Sequence, residues 1–283
     1  ARQLSRCVGS ILAQKFRGSY EIIIVDDGST DDTREVGRHL QEIDGRVRYF
    51  RQRHAGYASA RNVGLKKCLG CHIAFTDDDC VVPANWLSEI TSCFGRTGAD
   101  ALGGPVLNPV NHYIAWSFYL LNFSSCFPCG RTRQVCNLPT TNIAYRSDKI
   151  KGLRFSESLG EGGYEDSVFN MHFLAKGNTL FFCRKVSLWH YGWSPGDGLR
   201  RYFAVQRRSA LGFLRGGYPV HGVAGAVLFR ARLLNVFCPS LLHLFYRCAE
   251  AGFLLRFFYH LPLIFAGEIY RGWMILWLAK EKT

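Results

Sequence analysis

The stretch YEIIIVDDGSTDDTREVGRHL constrains this chain more than any other part of it. Ile22 to Val25 is a β-branched run that stops at two carboxylates, Asp26 and Asp27. Such residues pack well on a pleated surface, so the run predicts a strand. Turn formers follow, then residues at helical spacing, with Ser29 or Thr30 as the expected cap. The unit recurs: VRYFRQ reads as a short strand and GYASARNVGLKKC as a glycine-opened helix. GCHIAFTDDDC reads as a strand ending in carboxylates, PANWLSEITSCF as a helix, and ADALGGPVL as the next strand. Alternation with short connections predicts an α/β layer with a mostly parallel sheet. Both carboxylate clusters then fall at carboxyl ends of strands, where open α/β sheets bind their ligands.

Asp77, Asp78 and Asp79 stand side by side, and crowded like charges are costly unless something positive offsets them. Asp77 and Asp79 flank one residue at a strand end. Their hard oxygens suit Mg2+ or Mn2+, ions that accept phosphate oxygens as further ligands. A solvated acidic turn is the plainer alternative. The second carboxylate cluster, on another strand end, favours metal and phosphate. His190, closing SLWH, could reach such an ion or simply pack in the interior.

After Asn108 the rhythm changes. Residues 111–140 are aromatic, cysteine-rich and loop-like, a helix is expected to begin near Glu165, and TLFFCRKVSLWH is a late strand. The eleven cysteines are odd in number and scattered, which reads as reduced thiols in a cytosolic setting. Cys68/Cys71 and Cys126/Cys129, with Cys136 nearby, have ligand-like spacing. No His joins them at ribbon spacing, so small buried hydrophobes are expected in place of zinc.

The formal net charge is +13, of which +9 lies between Arg200 and Thr283. There the basic residues stand among Leu, Phe and Trp, which fits an anionic membrane surface and argues against nucleic acid. Between Arg200 and Thr283 the longest runs without Asp, Glu, Lys or Arg, Gly216–Phe229 and Leu233–Tyr246, are 14 residues each. A spanning helix needs about 20 apolar residues. Interfacial helices are therefore expected, with Arg230, Arg232, Arg247, Arg256 and Arg271 at headgroup level; the alternative is a helical subdomain with its own core.

IIIVDDGSTDDT, GYASARNVGL, IAFTDDDCVVPANWL and GEGGYEDSVFN, in that order, resemble family 2 glycosyltransferases of the GT-A fold, specifically non-processive bacterial members. The resemblance covers roughly residues 1–195. It implies a nucleotide-sugar-binding α/β domain over 1–218, with a nucleotide-binding half (1–107) and an acceptor half (108–218). A membrane-associating helical tail would follow over 219–283. The sequence opens on an amphipathic helix carrying Leu4, Val8, Ile11 and Leu12, so the family's first strand is expected before it, and no secretory leader is read.

The resemblance also implies roles. Asp27 matches the carboxylate that reads the nucleotide base, and Arg61 a position near the donor nucleotide. Asp77 and Asp79 match the DxD motif, with Asp79 the direct metal ligand and Asp77 nearer the ribose; Asp78 between them is counted with the nucleotide-sugar-binding residues. Asp166 matches the general base, with Glu165 beside it; for both, helix capping is the plainer reading. Asn142 matches a position that contacts donor or acceptor sugar, a turn role being the alternative. Trp189 and Trp193 are candidates for an acceptor platform or for core packing.

The implied reaction moves a sugar from a nucleotide-diphosphate sugar to a glycan or lipid-linked acceptor, with inversion, at the cytoplasmic membrane face. In VQRRSALG, Ser209 and Ala210 follow Gln206 where processive members carry Arg and Trp, which argues against a polymerase. Two other readings stay open: a nucleotidyltransferase of similar sheet, and a receiver-like module with an acidic pocket.

Overall fold

The computed structural model describes residues 1–162, 164–192, 198–205, 207 and 244–280. The chain divides into two compact units. The first comprises Ala1–Leu107, Gly130–Gly160 and Glu165–Gly192; the second comprises Asn108–Cys129, Glu161–Tyr164 and Trp193–Thr283.

The first unit opens with α1 (Arg2–Leu12), which buries Leu4, Cys7, Val8 and Ile11. Next come β1 (Ile22–Asp26), α2 (Thr33–Ile43), β2 (Val47–Arg51), α3 (Tyr57–Lys67) and β3 (His72–Thr76). The short β4 (Cys80–Val81) leads to α4 (Trp86–Thr97), β5 (Ala101–Gly103) and β6 (Val106–Leu107). The expected helix cap is corrected here. α2 starts after Asp32, because the Asp26 carboxylate takes the Ser29 amide at 2.8 Å and holds Ser29 and Thr30 in the turn.

The same unit resumes with β7 (Arg133–Gln134), β8 (Asn142–Arg146), α6 (Glu165–Ala175), β9 (Leu180–Phe182) and β10 (Leu188–His190). The single late strand expected from TLFFCRKVSLWH is thus two. β1 and β2 pair in parallel, and the larger sheet runs β3-β8-β5-β9-β7. A third sheet runs β4-β10-β6. The pairing is more mixed than expected. β1–β2, β5–β9 and β6–β10 are parallel, but every antiparallel pair includes a strand from beyond residue 107, where the strand–helix alternation ends.

An aromatic core fixes α6 against β3 and β8. Phe155 stacks on Phe169 at 4.3 Å, and Tyr145 meets Phe75, Phe169 and Phe173 edge-on. The fully buried Tyr145 hydroxyl donates to Asn170 Oδ1 at 2.6 Å, so its polar end is satisfied inside the core. Glu165, Phe169 and Phe173 follow one another at i, i+4, i+8. All three are buried, which puts Glu165 on the inward face of α6.

One expectation about cysteine is overturned. Cys93 of α4 and Cys183, at the end of β9, form a disulfide across 90 residues of sequence, with both side chains buried. Cys126 and Cys129 are buried, and Cys129 Sγ donates to Glu250 Oε2 at 3.7 Å, whereas Cys68 is half-buried and Cys71 and Cys136 are exposed.

Residues 111–140, of which 111–129 belong to the second unit, prove less loop-like than their composition suggests. α5 (Tyr113–Asn122) buries Ala115, Trp116, Ser117, Tyr119 and Leu120, leaving no polar face whose period could be read. Helical stretches 199–205 (α7) and 244–250 (α8) precede the long α9 (Leu254–Lys280), which contains Pro262. α5 packs on α9 through Tyr113 against His260 at 4.5 Å, and Ser117 Oγ lies 3.1 Å from His260 Nδ1. Among the described residues, no helix is long and apolar enough to cross a membrane. The run Gly216–Phe229, most of Leu233–Tyr246, Trp193, Gln206, Ser209 and Ala210 lie outside the described residues.

Candidate active site

The two carboxylates that end β1 have different surroundings. Asp26 is buried and accepts hydrogen bonds from Tyr49 Oη at 2.5 Å, Arg51 Nη1 at 2.9 Å and the Ser29 amide. Burial opposes its ionisation, but these donors outweigh it and hold the carboxyl below its usual range. Asp27 instead ties down the loop that opens α3. It accepts from Gln52 Nε2 at 2.6 Å and from the Ala55 and Gly56 amides at 2.9 and 2.8 Å. His54 Nδ1 lies 2.9 Å from Oδ2, the oxygen that also takes the Gly56 amide. Gly56, at φ 91°, adopts a backbone conformation that side chains resist, and this lets its amide reach back to Asp27.

One turn into α3, Arg61 reaches two acidic groups. Nη1 donates to Glu165 Oε1 on α6, and Nη2 lies 3.8 Å from Asp77 Oδ1 at the end of β3. Burial disfavours the charged guanidinium, but Glu165, Asp77 and Asp166 together raise its pKa. Glu165 Oε2 is buried and, among the described residues, has no hydrogen-bond partner. Beside it, the half-buried Asp166 accepts from the Ser167 amide at 2.7 Å. Burial and the Glu165 charge push Asp166 up to about 6, against the pull of Arg61. Tyr164, immediately before the pair, has φ 68°, a strained setting for a residue with a bulky side chain.

The acidic run at β3 does gather possible metal ligands. Ligand atoms of Asp77, Asp79 and His190 all lie within 4.8 Å of one another. Strand register explains how His190 arrives: β10 pairs antiparallel with β4, opposing His190 to Cys80, the neighbour of Asp79. His190 Nε2 then sits 3.3 Å from Asp79 Oδ1. Burial, with Asp77 and Asp78 beside it, pushes Asp79 up to about 6 although His190 pulls the other way. Two carboxylates and an imidazole form a donor set that Mg2+ or Mn2+ fits, and a cation there would offset the crowding. Space is kept open around them: a Cβ on Gly192 would lie 2.4 Å from His190 Cε1 and 2.7 Å from Asp79 Oδ2.

Asp78 is exposed and outside this ligand group. Asn142 is not brought to the cluster and is not in a turn. Buried in β8, it accepts from Trp86 Nε1 at 3.1 Å and donates to the Pro105 and Val186 carbonyls at 3.1 and 2.7 Å. Its neighbour Thr141, which sequence reasoning passed over, donates to Asp77 Oδ2 at 2.6 Å. The only available signal was a hydroxyl at the start of an apolar strand. Trp189 is 37% exposed and so does not fill the core.

A mixed α/β unit with an acid pair ending β1, a DxD cluster ending β3 and an acidic pair opening a late helix is a GT-A fold. The sequence model of "Glycosyl transferase family 2" matches residues 1–154, and the chain belongs to that family. It is 40% identical over 175 residues to glycosyltransferase GlyA of Streptococcus pneumoniae, covering 57% of this chain but only 25% of GlyA. To glycosyltransferase AglE of Haloferax volcanii it is 32% identical over 210 residues, covering 72% of this chain and 68% of AglE. The mannosyltransferase PcManGT of Pyrobaculum calidifontis, solved with GDP-Man and Mn2+, matches with a TM-score of 0.63. That match covers 98% of this chain and 84% of PcManGT at 17% identity, a likeness of fold alone. The nucleotidyltransferase and receiver readings gain no support from these matches.

Proposed function

We propose that this chain transfers one sugar from a nucleotide-diphosphate sugar to a hydroxyl of a glycan or lipid-linked acceptor, with inversion at the anomeric carbon. The observation that carries the reading is the bridge made by Arg61 between the Asp77 end of β3 and the Glu165–Asp166 start of α6. It holds the residues that would bind the donor at a set distance from the residue that would activate the acceptor.

In this reading Asp27 meets the nucleotide base and Asp77 the ribose side of the donor. Mg2+ or Mn2+ held by Asp79, with Asp77 and His190, would supply positive charge to the departing diphosphate. Asp166 takes the acceptor proton. A carboxyl shifted to about 6 is ionised at neutral pH yet still basic enough for that task. One base on the far side of the sugar gives direct displacement, hence inversion. Glu165 positions Arg61, and its unpaired Oε2 offers an acceptor site for a sugar hydroxyl.

The same reading places the protein peripherally on the cytoplasmic membrane face, bound to anionic lipid through residues 219–283. Its supports are the +9 charge from Arg200 onward and the exposed Leu255, Phe258, Tyr259, Phe265, Ile269 and Trp273. At 100° per residue these six fall on one stripe of α9. Flotation should show stronger binding to vesicles containing phosphatidylglycerol than to neutral ones; equal binding would remove the electrostatic component.

The enzymatic reading is tested by calorimetry with UDP and GDP, with and without Mn2+, followed by a screen of nucleotide sugars for metal-dependent transfer. Asp79→Ala should abolish the Mn2+-dependent part of nucleotide binding. Asp166→Asn should abolish transfer while nucleotide affinity stays near normal. Unchanged affinity in the first variant, or near-normal turnover in the second, overturns the assignment.

A further inference from the structure

On the first unit, and built from other residues than the candidate active site, lies an open basin of about 390 Å3. It is lined by Arg96, Arg131, Thr132, Cys183, Arg184 and Lys185. Four cations from three separate segments converge on it: the last turn of α4, the chain entering β7, and the turn between β9 and β10. Among the described residues, none of the four has an acidic partner. Gathering like charges without a counterion raises the free energy of the folded chain, as it does for the acidic run at β3. All four side chains are exposed, so solvent screens part of that repulsion and the groups stay accessible to an anion.

Two features hold these side chains together. Cys93 lies one helical turn before Arg96 on the same face of α4, and Cys183 immediately precedes Arg184. The Cys93–Cys183 disulfide therefore staples the segment carrying Arg96 to the segment carrying Arg184 and Lys185. On the remaining side, Arg133 lies over the Phe182 ring at 4.6 Å and donates to the Arg131 carbonyl at 3.5 Å, which supports the loop that carries Arg131 and Thr132.

We propose that this basin is a second anion site, which binds a multiply charged phosphate group and is separate from the donor site. Arginine guanidinium groups bind phosphate oxygens through paired N–H donors, and three of the four cations are arginine. The phosphate can be carried by a soluble ligand or by a lipid headgroup, since the recognition chemistry is the same.

The test uses the full chain in EDTA, with sodium tripolyphosphate as the soluble probe read by calorimetry. Vesicles of phosphatidylcholine doped with phosphatidylinositol 4-phosphate, whose headgroup carries a multiply charged phosphate monoester, form the second arm, read by flotation. Arg131→Glu/Arg184→Glu should weaken binding on the order of a hundredfold, since each charge-assisted hydrogen bond is worth about tenfold. Loss of tripolyphosphate binding assigns a soluble phosphate. Absence of tripolyphosphate binding together with a drop in vesicle affinity assigns a headgroup.

Arg34→Glu/Arg38→Glu, on exposed α2 positions, changes the net charge equally and should leave both readouts unchanged. Asp79→Ala should retain tripolyphosphate binding, so failure of the donor-site assignment leaves this result intact. The proposal is overturned if the basin variant binds both probes like the parent. Equal weakening by the α2 variant, or loss of the phosphate signal in Asp79→Ala alone, overturns it too.

Discussion

Arg61 and Glu165 stand 104 residues apart in sequence and form a mostly buried ion pair, with side chains 19% and 7% exposed. Removing Arg61 leaves the Glu165 charge buried and uncompensated, which costs about 3–5 kcal/mol, whereas removing Glu165 leaves Arg61 still facing Asp77. Arg61→Met should lower stability by that order in urea melts, and Glu165→Leu by less. The double variant should cost clearly less than the sum, because no lone charge remains. Additive losses would show that the pair is not coupled.

Activity should rise with pH through the titration of Asp166. Its pKa is raised to about 6, so the carboxyl is protonated and inactive as a base below that value and ionised above it. The kcat/KM profile should climb about tenfold per pH unit below 6 and level off above it. Stability should move the opposite way: the folded state retains this proton longer than the unfolded chain, so this contribution declines as pH rises from the ordinary carboxyl range through about 6. A flat rate profile between pH 5 and 7 would exclude the group.

Gly192→Ala should damage the ion site without unfolding the protein. The new Cβ would fall 2.4 Å from His190 Cε1 and 2.7 Å from Asp79 Oδ2, so the imidazole and carboxylate must move apart. Mn2+ affinity, read by calorimetry or by electron paramagnetic resonance of free Mn2+, should fall about tenfold or more, the scale of loss when groups that orient metal ligands are disturbed. Thermal stability should change little.

Loss of the Cys93–Cys183 bond should destabilise the first unit. The bond closes a loop spanning 90 residues, and native disulfides contribute typically about 2–4 kcal/mol. Cys93→Ala/Cys183→Ala, or reduction by dithiothreitol, should lower the melting temperature, with thiol titration confirming the redox state. Equal melting temperatures in oxidised and reduced protein would show that the bond contributes nothing.

The amino-acid sequence by itself determined the local units and the chemical inventory. The β-branched run at Ile22, the helix opened by Gly56, the acidic ends of β1 and β3 and the helix beginning at Glu165 each show in fewer than a dozen neighbouring residues. Side-chain period and turn chemistry are properties of adjacent positions. Four motifs in order then pointed to a family. Tertiary structure alone decided which distant groups meet. Arg61 pairs with Glu165, not Asp166, because Phe169 and Phe173 turn that face of α6 inward. His190 joins Asp79 because β10 pairs with β4 in one register, and a one-residue slip would turn it to the other face. Asn142 goes to the interior while Thr141 takes Asp77, although the two are adjacent in the chain. Cys93 finds Cys183 among eleven scattered cysteines only because α4 and β9 are brought side by side. Each of these contacts joins segments at least several dozen residues apart, and no period or turn signal in a single sequence encodes such a meeting.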